Sequence, residues 1–111
     1  MLINQSDVEH WELLRAFPED FEWCTRPGRT RAQVVERYAH LLLHLAPSWF
    51  TDAEFDQCVE LVPWAALQFA WERLSQEQFD RCVERAPGDA LVYARARLST
   101  EQLTKAEEAL R

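Results

Sequence analysis

FDQCVELVPWAALQFAWERLSQEQ, residues 55–78, runs without a gap into FDRCVERAPGDALVYARARLSTEQ, residues 79–102. The two stretches agree at 14 of 24 positions. Self-similarity at a fixed period is the signature of a supersecondary unit that stacks on copies of itself. A further copy opens at Leu103 and stops at Arg111, half a unit long.

Each unit carries the punctuation of two short helices. Ser75 is followed three residues later by Gln78, and Ser99 by Gln102. At that spacing a hydroxyl and an amide satisfy each other's free backbone donors at a helix start. The same signature stands at Thr51/Glu54, Thr30/Gln33 and Ser6/Glu9, so the starts fall at intervals of 24, 21, 24 and 24 residues. Pro63 and Pro87 occupy matching positions where proline is tolerated as the first residue of a second helix, and Pro18 is their counterpart in the first unit. The pattern predicts helices near 7–16, 18–24, 31–46, 52–61, 63–73, 76–85, 88–97 and 100–110. The unit from Thr30 is expected to depart from it. No proline interrupts it before Pro47, and Val34, Tyr38, Leu41, Leu42 and Leu45 form a continuous apolar stripe at helical period, predicting one long helix and then a turn through Ser48, Trp49 and Phe50. The stretch from Thr25 to Arg29 reads as a loop.

Phe55, Cys58, Val59 and Val62 share a helix face, as do Phe79, Cys82, Val83 and Ala86, while Leu67, Phe69, Ala70 and Leu74 are matched by Leu91, Tyr93, Ala94 and Leu98. One helix pair cannot bury such a stripe, and stacked neighbours can. The expectation is an all-α fold, a short α-solenoid-like array of helix-turn-helix units in one domain over 1–111. The units lie near 6–29, 30–50, 51–74 and 75–98, with a half-unit at 99–111.

Composition agrees with helices. Apolar types make up 48% of the 111 residues, with five Trp, six Phe and only two Gly, which opposes both disorder and a multi-stranded sheet. Three cysteines, the lack of a charged-then-apolar leader after Met1, and a longest apolar run, Leu61 to Trp71, that Pro63 interrupts predict a reduced, cytoplasmic protein without a membrane span. The net charge of −7 is uneven: residues 1–24 sum to −5, 25–37 to +3, 38–72 to −5 and 73–111 to zero. Such a surface repels nucleic acid and attracts cationic partners.

The residues that could carry chemistry have simpler roles. Cys58 and Cys82 recur at one repeat position on an apolar face, where a small hydrophobe is wanted. Cys24 lies by an acidic segment that would raise its pKa and oppose a nucleophilic role. His40 and His44 are four apart, a spacing that could share a metal, but no H-E-x-x-H or Cys-x-x-Cys pattern accompanies them and His10 is the only other histidine. No carboxylate is marked out for acid–base work, and there is no Gly-rich phosphate loop or G-x-S-x-G elbow. We expect no enzyme, no cofactor and no metal.

Charge placement carries more information. Asp52, Asp56 and Glu60 fall at i, i+4 and i+8, on the helix side opposite Phe55 and Val59. The next unit sets Arg81 and Arg85 beside Asp80 and Glu84, with Glu77 and Arg81 at ion-pair spacing, whereas the corresponding helix of the earlier copy lacks those two arginines. An unbalanced stripe fits use by a basic partner, and equally a solvated face. Trp64 and Trp71 replace Gly88 and Arg95 of the next copy, so the framework requires tryptophan at neither position; these two, with Trp23 and Trp49, read as interface anchors or as large caps. Arg26, Arg29, Arg31 and Arg37 form a local basic patch expected to counter the acidic first unit.

The stretch LSQEQFDRCVERAPGDALVYARARLSTEQ, with its Leu-Ser/Thr-x-Glu-Gln start and Cys-Val-Glu core, resembles short tandem helix-pair repeats of uncharacterised bacterial and phage-borne proteins over about residues 51–111. That resemblance implies a scaffold that binds macromolecules and transfers no catalytic residue. The expected function is a protein-binding module whose face over Asp52, Asp56, Glu60, Trp64 and Trp71 docks on a basic surface. Its specific form is a small inhibitor, of the phage anti-defence type such as an anti-CRISPR protein, or an immunity-type protein, presenting carboxylates where phosphates would lie. The alternative is a structural repeat protein that self-associates, as a homodimer, through 99–111.

Overall fold

The computed structural model describes residues 1–9, 11 and 16–111. Among them the chain forms eight α-helices: α1 (Gln5–Glu9), α2 (Pro18–Thr25), α3 (Arg31–Leu45), α4 (Asp52–Leu61), α5 (Pro63–Ala70), α6 (Gln76–Arg85), α7 (Pro87–Tyr93) and α8 (Thr100–Ala109), with short 3-10 turns at Pro47–Trp49 and Arg95–Arg97. The fold is all-α. Of the helix expected near 7–16, residues 10 and 12–15 lie outside the described residues, and Trp11 and Ala16 are not helical.

Four starts form as the spacing predicts. The side chains of Thr30, Thr51, Ser75 and Ser99 accept from the N3 amides, and Gln33, Glu54, Gln78 and Gln102 accept in return from the cap amides. The first start differs. Asn4 Oδ1 accepts from the amide of Ser6 at 3.0 Å, so Asn4 is the cap and Ser6 lies inside α1. Asparagine caps as well as serine does, and standing earlier in the chain it takes the role first. The N-terminal segment is then held on the 25–29 loop, with the Ile3 amide donating to Arg29 O at 2.9 Å and the Arg31 amide to Met1 O at 3.0 Å.

The long helix is broken where no proline marks it. Tyr38 sits inside α3 with φ −120 and ψ 20, outside helical values. Val62 (φ −137, ψ 67) and Ala86 (φ −137, ψ 63), which end α4 and α6, follow at steps of 24 residues. The unit from Thr30 therefore keeps the helix-break-helix plan, with a first helix three residues shorter, which is why its start lies 21 rather than 24 residues before Thr51. Tyr38 is fixed in place by its hydroxyl, which donates to Asp20 Oδ1 at 2.6 Å, and by its ring, edge-on to Trp23 at 5.6 Å.

The second helices are shorter than expected. α5 stops at Ala70 and α7 at Tyr93, each giving way to a tight turn, 71–73 and 95–97. The turns end on Arg73 and Arg97, which reach back in the same way: Arg73 donates to the carbonyls of Pro47 and Phe50 and lies over Phe55 at 4.2 Å, and Arg97 donates to the carbonyl of Trp71 and lies over Phe79 at 4.4 Å. Each guanidinium satisfies a carbonyl left open at a preceding turn while covering an aromatic ring of its own unit.

From α3 onward each helix packs on its chain neighbour, and α3 with α5, α4 with α6, α5 with α7 and α6 with α8 pack as next-but-one pairs, giving rows α4–α6–α8 and α3–α5–α7. The molecule extends 49 × 26 × 18 Å with a radius of gyration of 15.7 Å, above the about 13 Å of a compact domain this size. Its core holds Val34, Leu42, Leu43, Val59, Leu67 and Phe79, and among the described residues it buries no polar or charged side chain. Cys24, Cys58 and Cys82 are free and buried. Burial pushes their thiols up to about 11, 12 and 11, which leaves them as small apolar fillers at neutral pH.

Candidate functional site

The acidic stripe lies along α4, with Asp52 in its first turn, fully exposed, and Asp56 and Glu60 about half exposed one and two turns on. Within its own helix the stripe is unbalanced, as the sequence reads. Between helices it is not. Arg81 of α6 pairs with Asp56 at 3.2 Å and with Glu60, and Arg85 pairs with Glu60 at 3.6 Å while donating to the Glu60 carbonyl at 2.7 Å. Arg73 approaches Asp52 at 3.7 Å. Gln78, the reciprocal residue of the α6 cap, also donates to Asp56 at 3.0 Å. The Gln78 amide and the Arg81 guanidinium hold the Asp56 carboxyl below its ordinary value. Arg81 thus turns to the preceding unit instead of forming an ion pair with Glu77. The expectation that the next unit neutralises itself along one helix is corrected: these arginines bridge units.

A more enclosed version of this clasp stands one helix earlier. Arg31, at the start of α3, meets Glu54 through two hydrogen bonds, 2.8 and 2.7 Å, donates to the Trp49 carbonyl at 2.9 Å and lies over the Trp49 ring at 3.8 Å. Both side chains are well covered, at 13% and 16% exposure. The hydrogen bond from Arg31, ahead of the backbone donation of the cap, draws the Glu54 carboxyl down to about 2. The rest of the basic patch mostly serves rings. Arg29 donates to the Trp23 carbonyl at 2.9 Å and lies 3.7 Å over its ring, Arg37 donates to the Tyr38 hydroxyl and faces Trp23 at 4.6 Å, and Arg31 meets the first unit's acids at Asp7, 3.9 Å away. The patch expected to counter the acidic first unit chiefly holds Trp23 and Trp49.

The tryptophans divide. Trp11 is buried edge-on to Trp49 at 5.1 Å, and Trp49 Nε1 donates to Asp7 at 3.0 Å, so both close the N-terminal end. Trp64 is 39% exposed and leans on His40 at 4.5 Å. Trp71 is half-buried and lines a cleft of about 630 Å³ with Pro47, Phe69 and Arg73. His40 and His44 both lie against Phe69, at 5.8 and 4.4 Å, in one aromatic cluster with Trp64. Among the described residues no three His, Cys, Asp or Glu side chains converge as a metal set.

One place escaped sequence reading. Between α6 and α8 lies an open groove of about 600 Å³, lined by the apolar Val83, Pro87, Ala106 and Ala109 together with Asp80, Glu84, Glu101 and Lys105. Its signal was available in the repeat alignment: Lys105 stands where Arg81 does, and Ala109 where Arg85 does.

Among the described residues no helix is long and apolar enough to cross a membrane. No family model matches the chain, and no curated protein or solved structure matches it at a significant level.

Proposed function

We propose that this chain is a non-enzymatic protein-binding module that docks through carboxylates and exposed aromatic surface on a basic protein partner. The observation that carries the reading is the allocation of charge. Every arginine from Arg29 to Arg97 is engaged with a carbonyl, carboxylate, hydroxyl or ring of its own chain. Glu36, Glu72, Glu84 and Asp89 have no such partner among the described residues. The surplus of the −7 chain is therefore carboxylate turned to solvent, the arrangement that steers a cationic partner and excludes nucleic acid. In this reading Asp52, Trp64 and Trp71 belong to the partner-facing surface, and Asp56 and Glu60 hold the units in register while offering their outer edges. In its narrowest form the module is an inhibitor, of phage anti-defence or immunity type, filling a phosphate-binding site with carboxylates.

Asp52→Lys with Trp64→Ala tests it, because both side chains are exposed and Asp52 makes only the outlying 3.7 Å approach to Arg73, outside the Arg81 and Arg85 clasp. The immobilised wild type should retain from the lysate of its source cells a basic protein that salt releases, and the double variant should lose it. Equal retention by both, or release indifferent to salt, would sink the proposal. The alternative, self-association through 99–111, has one observation in its favour: α8 ends on Leu110, 59% exposed. Leu110→Glu would then convert a concentration-dependent dimer to monomer in sedimentation.

A further inference from the structure

The two grooves of the row α4–α6–α8 are built from repeat-equivalent positions, and they differ in content. In the first, Asp56 and Glu60 of α4 face arginines from α6, whose guanidinium groups meet both carboxylates. In the second, Asp80 and Glu84 of α6 occupy the same positions, but α8 offers Lys105 and Ala109. Lys105 turns along its own helix to Glu101 at 3.1 Å and makes no ion pair with Asp80. Asp80 is oriented from two sides, by Gln102 at 2.7 Å and Gln76 at 2.8 Å, the first repeating the Gln78 to Asp56 bond of the filled groove. Glu84 has no polar partner among the described residues. What remains is the groove of about 600 Å³, lined by apolar side chains and by three carboxylates against the one lysine, Lys105.

We infer that the groove between α6 and α8 receives arginine side chains from a helix of a protein partner, in the place that Arg81 and Arg85 fill one unit earlier. The shape and chemistry fit that occupant better than others. The apolar lining side chains suit the three-methylene stem of arginine, and two carboxylates one helical turn apart suit guanidinium groups at the same spacing. The arginines from Arg29 to Arg97 are engaged elsewhere, so none of them fills it. This inference rests on the reading of a basic partner and places one of its contacts.

The probe is a short helical peptide with two arginines four positions apart, alongside the same peptide with citrulline in place of arginine. The full chain should bind the arginine peptide in a salt-sensitive manner, with amide shifts in NMR spectra centred on Val83 and Ala106. Citrulline, or Asp80→Asn with Glu84→Gln, should weaken binding about tenfold, the scale of a lost charge-assisted pair. Lys105→Arg with Ala109→Arg fills the groove from within and should weaken binding by a similar factor while the chain stays folded. The inference falls if the filled variant binds the peptide as the wild type does, if citrulline binds equally well, or if no shifts appear at the groove. Should the groove variants retain the cellular basic protein that Asp52→Lys with Trp64→Ala loses, the docking proposal stands and the groove assignment alone fails. Loss of that protein in neither set removes both.

Discussion

The grooves on either side of α6 are two solutions to the same local sequence. On the α4 side the acids are answered by Arg81 and Arg85, which bridge the two helices. On the α8 side acids at the same positions are held by glutamine alone, and a groove remains. Both helix pairs have their caps, their Phe or Leu at the first inward position and their buried small residue, so the difference lies in two side chains and not in the backbone plan. Ion pairs set the finish of this fold while apolar burial sets its existence, as expected when exposed pairs contribute little and buried rings contribute much.

The strongest way to break the comparison is to remove the wall common to both grooves. Phe79 is fully buried on α6 beneath the Arg97 guanidinium. Phe79→Ala should cost about 3–5 kcal/mol and abolish both grooves together, read as a lower midpoint in urea. A loss under about 1 kcal/mol would mean that the helices repack around the cavity and that α6 is not the shared support. Next in size is the enclosed clasp, Arg31 on Glu54. Glutamine at 54 is what the other boxed starts carry at this position, so Glu54→Gln keeps the cap and removes the ion pair. It should cost on the order of 2 kcal/mol at pH 7. The sign with pH is fixed: the folded-state value, about 2, lies below the unfolded value of 4.5, so this stability is present above pH 4.5 and is lost as pH falls towards 2. Wild type and Glu54→Gln should therefore converge in stability below pH 3, and a constant gap across that window would assign the effect to something other than this titration.

Much of the fold was legible because caps and prolines are local signals. The boxes at Thr30, Thr51, Ser75 and Ser99 and the prolines at 63 and 87 needed no partner to be read. The break at Tyr38 was not legible, since no proline marks it and the apolar stripe runs through it. It is set by a hydroxyl held on Asp20 and a ring against Trp23, contacts eighteen and fifteen residues away in the chain. The acidic stripe was read correctly as a line of exposed carboxylates, but its charge balance was sought along one helix when the arginines answer from the next. Arg73 and Arg97 could have been found, because the repeat keeps arginine there while exchanging neighbours such as Trp71 for Arg95.

A smaller effect comes from opening the closed groove. Arg81→Ala should leave Asp56 and Glu60, one turn apart on α4, without their shared counter-charge, with a modest drop in melting temperature that 0.5 M salt, about three times physiological ionic strength, largely erases. If the drop grows with salt instead, the arginine stem and not its charge closes the groove.

The smallest effect is also the most discriminating. Lys105→Arg with Ala109→Arg writes the α4–α6 clasp onto the α6–α8 groove, and should raise stability by a few tenths of a kcal/mol, because each new pair stays near the surface and orders a long side chain. The useful readout is the pairing itself. Asp80 already receives Gln102 as Asp56 receives Gln78, so an introduced arginine at 105 should find its acid in position, visible as NMR cross-peaks between its side chain and Asp80. Absence of those cross-peaks with no gain in stability would show that the two grooves differ in helix placement as well as in side chains, and the equivalence drawn between them would have to be given up.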